Sequence, residues 1–354
     1  MSLDANQETL RITLDDLSSV ATAAPQNAVI PATGLAPGTR SYGNINTTPD
    51  APTMVQEKAT ILLQAWFYLG LAGLLGSLAG WAIAEPAFID HGIHRWGNSW
   101  LIPLIVALMC VGFAISESIV ERSTRKALIR ASIALPLGLV FGFIFDRMAG
   151  IIFIIGVAIC ESAGVQTNRN PAFWIVRGIA WMVFGAAGGV VYGIIGQSMK
   201  KTGYGALGGA IGAGIGGLIF DPISFATHAG AASRAVGFGL LGLATGVAMG
   251  LVESALKDRW LYVTAGPLAG KQFILYKPRT TVGSSQDCDI YLFKDPDILP
   301  QHATLEVKGS RTHLTAYGMV YAAGQPVRGM RVLESGSVVQ LGRYGFRYQE
   351  KQRG

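Results

Sequence analysis

The chain has 354 residues, of which 50% are hydrophobic and 14% are charged, and it contains 46 glycines. Soluble domains have about 25% charged residues, so this composition excludes an ordinary soluble globular protein. The charge is also uneven, because segment 59–256 holds 19 charged side chains, whereas segment 257–354, which is half as long, holds 22. The sequence therefore predicts a tail over 1–58, a membrane domain over 59–256 and a soluble domain over 257–354.

Segment 1–58 is rich in threonine, alanine, proline and asparagine and shows no sustained hydrophobic period. Without a sustained hydrophobic period, the segment has no apolar face whose burial would offset the entropy of ordering. We therefore expect a disordered cytoplasmic tail.

Six apolar runs follow, and most approach the length of about 20 residues that a helix needs to cross a bilayer. The runs cover 61–84, 101–120, 128–145, 179–195, 206–220 and 235–252. A further apolar run at 151–160 is too short to span, so we expect a re-entrant or interfacial segment there. Asp146-Arg147 and Asp221-Pro222 are interpreted as signals that end the third and fifth helices.

An internal repeat supports this division into spans. One constant offset along the chain aligns Ser123 with Ser198 and Phe145 with Phe220 without a gap. A second, shorter offset aligns three glycines of the fourth span with three of the sixth: Gly185 with Gly242, Gly189 with Gly246, and Gly193 with Gly250. Repeated helical hairpins are a known way to build membrane domains. We therefore predict a hairpin unit that occurs twice in full and a third time as its first helix.

Basic residues cluster after every second span. The clusters are Arg122, Arg125, Lys126 and Arg130, then Lys200 and Lys201, then Lys257 and Arg259. With six spans, all three clusters fall on one side, and the positive-inside rule makes that side cytoplasmic. The sequence predicts a multi-pass protein of a bacterial inner membrane with both termini in the cytoplasm.

Three glycines of the fifth span, Gly208, Gly212 and Gly216, are evenly spaced on one helix stripe. Such a glycine zipper lets helix backbones approach closely within a membrane. Two interpretations stay open: packing within the hairpin repeat, or a seam between copies or along a pore.

The C-terminal residues change to the pattern of short strands separated by turn residues. Candidate strands are 260–264, 271–275, 280–282, 289–292, 303–307, 312–315, 320–322, 337–340 and 346–348. Many short strands at close spacing, with no helical stretch, predict an all-β sandwich. The fold class is thus an α-helical polytopic membrane domain followed by a β-sandwich.

The C-terminal sequence contains the pattern TVGSSQDCDI over 281–290, then DP at 295–296, HA at 302–303, ESG at 334–336 and LG at 341–342. In order and spacing it resembles a forkhead-associated (FHA) domain over about 260–349. The resemblance implies recognition of phosphothreonine by loops at one end of the sandwich, beginning after Gly283.

The phosphate-binding positions of the family are altered in this chain. Where the resemblance places an arginine and a serine, the chain has Ser284 and Leu299, and where it places asparagines the chain has Gly318 and Ala323. His302 is retained, in a role that the resemblance implies is structural. A phosphate of charge about −2 requires cationic and hydroxyl donors. We therefore expect weak or absent phosphothreonine binding at a degenerate site.

Arg279, Lys294 or Arg328 could supply charge from neighbouring positions, but no spacing argument supports that. One observation favours phosphate binding. Thr13 and Thr47 in the tail each precede an aspartate by three positions, as the resemblance favours in a ligand, which makes them candidate phosphoacceptors for self-docking.

The sequence contains no phosphate-binding loop, zinc quartet, nucleophile triad or dinucleotide fingerprint. We expect a non-enzymatic scaffold or adaptor, with no cofactor, metal or nucleic acid, that recruits a cytoplasmic protein, phosphorylated or not, to the membrane. It is expected to contact the lipid bilayer and to form homo- or hetero-oligomers. The alternatives are a channel or transporter regulated by the soluble domain, and a structural subunit of a larger membrane complex.

Overall fold

The computed structural model describes residues 61–89, 96–165, 170–226 and 230–351. The candidate phosphoacceptors Thr13 and Thr47 lie outside the described residues. Six helices in the described part are long and apolar enough to cross a membrane, which confirms the predicted number. They are α1 (Ala65–Ala84), α2 (Trp96–Val120), α3 (Thr124–Ser162), α4 (Pro171–Ile195), α5 (Met199–Ala226) and α6 (Ala231–Leu256).

The third helix corrects the prediction of a re-entrant segment. Residues 151–160 are the continuation of α3, which runs without a break through Asp146 and Gly150 for 39 residues. At 1.5 Å per residue, such a helix is about 58 Å long, close to twice the thickness of the hydrocarbon core. Asp146 is therefore not a helix end, and α3 must tilt or project beyond the bilayer.

The fifth helix corrects the second helix-ending signal. α5 continues through Asp221 and Pro222 to Ala226. Asp221 is buried, and its carboxylate accepts a hydrogen bond of 2.8 Å from Arg177 of α4. A cation from a neighbouring helix thus compensates the aspartate, so the chain need not leave the helix there to solvate it.

The two hairpins share three of their four helix boundaries, since only the ends of α3 and α5 differ. The offset that aligns Ser123 with Ser198 also carries both bounds of α2 onto those of α4. It carries Thr124, where α3 begins, onto Met199, where α5 begins. The repeat in the sequence thus corresponds to a repeat in the arrangement of helices.

The two hairpin loops also share their backbone conformation. Arg122 and Gln197, which the same offset relates, both have a φ of 54°. In each loop the hydroxyl of the next residue, Ser123 or Ser198, accepts a bond from the amide three positions further on, at 3.4 Å and 3.3 Å. The loops are therefore equivalent turns, each capping the helix that follows.

The glycine stripe of α5 lies against α6. A Cβ added at Gly208, Gly212 or Gly216 would lie 2.6, 2.3 or 2.9 Å from backbone atoms of α6. The neighbouring glycines of α5 meet α4 in the same way, since a Cβ at Gly209 would lie 2.1 Å from the Gly185 carbonyl oxygen. The stripe is thus occupied by packing within the chain.

The C-terminal residues form two sheets packed face to face, as the sequence predicts. One sheet has the order β2-β1-β11-β10-β7-β8 and the other β4-β3-β5-β6-β9. The strands are β1 (Arg259–Ala265), β2 (Gln272–Ile274), β3 (Arg279–Gly283), β4 (Ile290–Tyr291), β5 (Ala303–Lys308), β6 (Arg311–Ala316), β7 (Val320–Ala322), β8 (Gln325–Pro326), β9 (Met330–Leu333), β10 (Val338–Leu341) and β11 (Tyr344–Glu350).

The sandwich core comes from alternate residues of both sheets. Val282, Leu305 and Leu314 of one sheet pack with Val339 and Phe346 of the other. The strands β8 and β9 were missed by the sequence prediction because neither alternates apolar and polar residues clearly, and both lie at sheet edges. A short edge strand needs no buried face of its own.

The sandwich contacts the ends of the helices through a buried ion pair and a hydrogen bond. Lys271, between β1 and β2, lies 2.8 Å from Glu121 at the end of α2, and the two side chains are 4% and 6% exposed. The Tyr276 hydroxyl donates a bond of 2.9 Å to Glu253 of α6. Because the desolvated groups are paired, this junction fixes the soluble domain against the helices.

A second set of contacts joins the first hairpin loop to the β3–β4 loop. Arg125 lies 2.9 Å from Asp287, and Lys126 donates to the Cys288 carbonyl at 2.5 Å. The Ser123 hydroxyl donates to Gln286 at 3.2 Å. The helices therefore hold a loop at the end of the sandwich where the resemblance places ligand recognition.

Candidate functional site

Three loops meet at one end of the sandwich, because the strand register brings their ends together. Val282 pairs with Ala303, and Ala303 pairs with Ala316, at the ends of β3, β5 and β6. The loops that follow or precede these residues are 284–289, 292–302 and 317–319. We call this set of loops the loop end, and it contains, with the adjoining Gly283, five of the six predicted ligand-loop residues.

His302 ties these loops together from a buried position. Its Nδ1 accepts a bond of 3.0 Å from the Leu299 amide, so Nε2 carries the proton and donates to the Met319 carbonyl at 3.1 Å. The His302 carbonyl accepts from the amides of Tyr317 and Gly318 at 2.9 and 3.0 Å. This geometry gives His302 the structural role that the resemblance implies.

Glycine is required beside this histidine for steric reasons. A Cβ added at Gly318 would lie 2.4 Å from the His302 ring, and one at Gly283 would lie 2.1 Å from the Pro300 carbonyl oxygen. Both glycines therefore act by allowing close approach of the loops.

Ser284 is committed to the protein's own backbone. Its hydroxyl donates a bond of 2.7 Å to the Ile298 carbonyl, and its amide donates to the Leu299 carbonyl at 3.0 Å. A hydroxyl that already donates its single hydrogen cannot also donate to a phosphate. Ser284 therefore joins two loops and leaves no donor where the resemblance places a cation.

The structure separates Ala323 from the other predicted residues. It lies in the β7–β8 turn with a φ of 51°, and its amide bonds to the Val338 carbonyl at the opposite end of β7 from Gly318. The intervening strand, β7, spans about 10 Å. Ala323 is thus remote from the loop end.

The three cations considered as substitutes are also dispersed. Arg279 begins β3, at the other end of that strand from Gly283, and lies 3.8 Å from Glu306. Arg328 lies between β8 and β9. Lys294 is in a loop of the loop end, five positions before Leu299, and is exposed with a φ of 60°. The loop end does not gather these cations as a group.

Three large apolar side chains project from the loop end. Leu299, Tyr317 and Met319 are 45%, 52% and 58% exposed. Each is anchored through its backbone to His302, as described above, so the patch has a fixed framework although its side chains are in solvent. Sequence reasoning identified Leu299 but missed Tyr317 and Met319, for which the available signal was their position on either side of Gly318.

Two hydrogen-bonded groups stiffen the loops behind this patch. Although burial opposes ionisation, bonds from Lys277 and Thr281 hold the pKa of Asp289 below its usual value, so the carboxylate stays charged and fixes the β3–β4 loop. Burial raises the pKa of Tyr344 to about 12, and its hydroxyl donates to the Phe293 carbonyl at 2.6 Å. These bonds therefore tie two loops of the loop end to the strands behind them.

The comparisons with known proteins match this domain. A family model described as the inner membrane component of T3SS, cytoplasmic domain, matches residues 262–352. A glycogen accumulation regulator of Mycolicibacterium smegmatis is 33% identical over 87 residues, which are 24% of this chain and 54% of that protein. An oxoglutarate dehydrogenase inhibitor of Corynebacterium efficiens is 32% identical over 87 residues, covering 24% of this chain and 60% of that protein.

Among solved structures, the FHA domain of a Chlamydia trachomatis protein is similar, with 27% identity and a TM-score of 0.25, over 27% of this chain and 100% of that chain. The chain spans between 54% and 60% of the length of the two relatives above. The C-terminal domain is an FHA-like β-sandwich, and it follows six helices that are apolar enough for a membrane.

Proposed function

We propose that this chain is a membrane-anchored interaction adaptor whose FHA-like domain binds a cytoplasmic protein through the apolar patch of the loop end. The patch consists of Leu299, Tyr317 and Met319, and its occupant is an unphosphorylated segment that presents apolar side chains. The family model of a membrane component with a cytoplasmic domain supports a role in protein assembly rather than catalysis.

One observation carries this proposal. The Ser284 hydroxyl donates its only hydrogen to the Ile298 carbonyl. The large side chains that the loops project into solvent, Leu299, Tyr317 and Met319, are apolar. Binding surfaces whose centre is apolar and aromatic gain most of their affinity from a few such side chains. Anchoring in the membrane would raise the local concentration of the bound partner.

The proposal includes an orientation. We place the sandwich on the same side of the membrane as the hairpin loops. Two contacts support this placement, that of Lys271 with Glu121 and that of Tyr276 with Glu253. The basic residues of those loops favour the cytoplasmic side. Labelling of single cysteines at exposed positions such as Ser310 in intact cells tests it, and labelling by an impermeant reagent would contradict the proposed orientation.

The experiment on the patch uses the full chain in nanodiscs as bait for cytoplasmic proteins. We expect partners that survive phosphatase treatment and are lost when Leu299, Tyr317 and Met319 are changed together to serine. The matched control changes Met330 and Val332 of β9, which are also exposed and apolar, and should retain every partner. Loss on phosphatase treatment alone would refute an unphosphorylated partner.

A second arm tests the tail as a ligand. Peptides centred on Thr13 and Thr47, each with and without a phosphate, are titrated against the same full-length protein. Because the loop end offers no bidentate cation at Ser284, we expect no gain in affinity from the phosphate. A gain of about tenfold or more would instead support self-docking of a phosphorylated tail.

One alternative has support from a specific observation. The match at residues 262–352 is to a component of a secretion assembly, which favours a structural subunit of a larger membrane complex. In that case the purified protein would form a defined ring or array through its membrane helices. Mass photometry in nanodiscs of several sizes measures the number of copies per particle and so distinguishes a structural subunit from an adaptor. An adaptor need not assemble without its partner.

A further inference from the structure

A cavity of about 480 Å³ lies between the sandwich and the helix ends that face it. The three residues of the apolar patch do not line this cavity, although residues 286–289 of the loop end do. The volume of the cavity falls in the range of about 300–1,000 Å³ that is typical of sites for small molecules. Its walls come from both parts of the chain, including the start of α1, the α2–α3 hairpin, α5, α6 and strands β2 to β4.

The cavity lining carries five acids and five cations, but one of the acids is paired with a cation that lies outside the lining. Two lining acids are neutralised by partners of their own, since Asp289 bonds to Lys277, and Asp287 bonds to Arg125 outside the cavity. The remaining lining charges are three acids and four cations: Glu117, Glu121 and Glu253, with Lys126, Arg130, Lys201 and Lys271. A cavity with one surplus cation favours a ligand with a single negative charge, such as a phosphodiester.

Two of the four cations, Lys126 and Arg130, are less closely paired with acids than the others, and we call them the outer cations. Glu121 is paired most closely with the buried Lys271 at 2.8 Å, while Lys126 is further away at 3.8 Å. Glu117 is paired most closely with Lys201 at 2.7 Å, and Arg130 lies at 3.2 Å.

These two outer side chains are also the more accessible ones. The side chains of Lys126 and Arg130 keep 14% and 23% of their exposure, against 4% and 6% for Lys271 and Lys201. Lys126 uses one donor on the Cys288 carbonyl, and an ammonium group has three. Both outer cations therefore keep donors for a ligand.

The cavity borders the surface that faces lipid. Ile129 and Ile133, on the same helix as the outer cations and one helical turn apart, also line it and are half-exposed. Trp66 at the start of α1 lines it too, and tryptophan is enriched at the level of lipid headgroups. The mouth of the cavity thus combines cations with half-exposed isoleucine side chains of α3.

We propose that this cavity binds the headgroup of an anionic phospholipid from the adjacent leaflet. Lys126 and Arg130 contact the phosphate, and the upper part of an acyl chain follows Ile129 and Ile133. Basic pockets between helix ends on the cytoplasmic side are suited to such headgroups. Because walls of the cavity come from β2, β3 and β4 as well as from the helices, the lipid would also stabilise the contact between the two domains.

The test uses the full-length protein, delipidated in a neutral detergent. Phosphatidylglycerol and phosphatidylcholine with the same acyl chains are titrated separately, and binding is followed by native mass spectrometry and by thermal stability. We expect phosphatidylglycerol to bind at least about tenfold more tightly, and each of Lys126→Gln and Arg130→Gln to remove about tenfold of that affinity.

The matched control is Arg122→Gln, which removes one positive charge from the adjoining hairpin loop without touching the cavity lining, and glutamine is the residue at the equivalent position 197. It should leave the preference for phosphatidylglycerol unchanged. Ile129→Trp keeps every charge and narrows the mouth, and it should weaken binding even if loss of Arg130 disturbs the fold. Inorganic phosphate at millimolar concentration should not displace the lipid.

Three results would each overturn the proposal. Equal binding of the two lipids would show that the headgroup charge is not recognised. An equal loss of affinity in Arg122→Gln would reduce the effect to general surface attraction. Displacement by inorganic phosphate would identify the cavity as a site for a soluble anion rather than a lipid.

Discussion

The contact between α4 and α5 depends on glycine in a way that a single methyl group can test. At Gly185 an added Cβ would lie 1.9 Å from the Gly209 carbonyl oxygen and 2.6 Å from the Ala213 Cβ. A carbon needs about 3.3 Å from a carbonyl oxygen, so the helices would have to separate by more than about 1 Å at this point. Both facing atoms are close to rigid helix backbone, so no side chain can move away to relieve the clash.

The matched controls carry the same methyl group in open space. A Cβ at Gly203 of α5 or at Gly150 of α3 would meet nothing within 4 Å. All three substitutions gain about 1 kcal/mol of helix propensity, so this term cancels between them. The remaining difference is the cost of overpacking, about 1–3 kcal/mol, and Gly185→Ala should be less stable than Gly203→Ala by that amount.

The assay is unfolding of the full-length protein in mixed micelles, with helical circular dichroism followed against the fraction of denaturing detergent. Gly203→Ala and Gly150→Ala should be equal to or more stable than the parent, and Gly185→Ala should be clearly less stable. If Gly185→Ala behaves like Gly203→Ala, the close approach of α4 and α5 is refuted. If it changes only the oligomeric state, the glycine seam lies between copies instead.

Other expectations concern the soluble domain and its attachment. Lys271→Met leaves the buried Glu121 without its closest cation, with only Lys126 at 3.8 Å, and should loosen the junction by about 3 kcal/mol. Adding Glu121→Leu should recover most of that loss, as measured by hydrogen exchange. The pKa of Asp289 is lowered from 3.8, so its stabilising effect is present above that pH and is lost as the pH falls through the folded value. Asp289→Asn should therefore flatten the acid limb of thermal stability, and an unchanged acid limb would contradict this assignment. Gly318→Ala should displace the His302 ring and speed exchange of the Leu299 amide, and normal exchange there would count against the loop framework.

Much of the helical part follows from composition and repetition, because a membrane span is specified by a local run of apolar residues. The predicted end of α3 was wrong because Asp146 was interpreted from its local sequence alone. The predicted end of α5 was wrong for a different reason. The charge of Asp221 is paired with that of Arg177, which lies 44 positions earlier on another helix. A pairing of that kind is decided by packing and leaves no local signal.

The sequence likewise predicts only part of the candidate site. The role of His302 follows from the resemblance, and the need for Gly318 becomes clear only when the histidine ring is placed beside it. Tyr317 and Met319 were missed because exposed apolar residues in a loop are common and carry no pattern of their own. The contact between the sandwich and the helices was missed because its ion pair joins residues that are far apart in the sequence. Glu121 and Lys271 are 150 positions apart.

The hairpin repeat explains how one end of the sandwich is held. Its two loops have the same turn, with Arg122 and Gln197 at equivalent positions and φ values, yet their contacts differ. Arg122 lies 5.8 Å from the centre of the Phe293 ring in the β4–β5 loop, whereas the Gln197 side chain accepts a bond from Lys277 before β3. Duplicating one loop therefore supplies two separate attachment points, and two points restrict rotation of the sandwich that a single point would allow. The apolar patch is thereby held in a fixed direction relative to the helices, which an adaptor at a membrane surface requires.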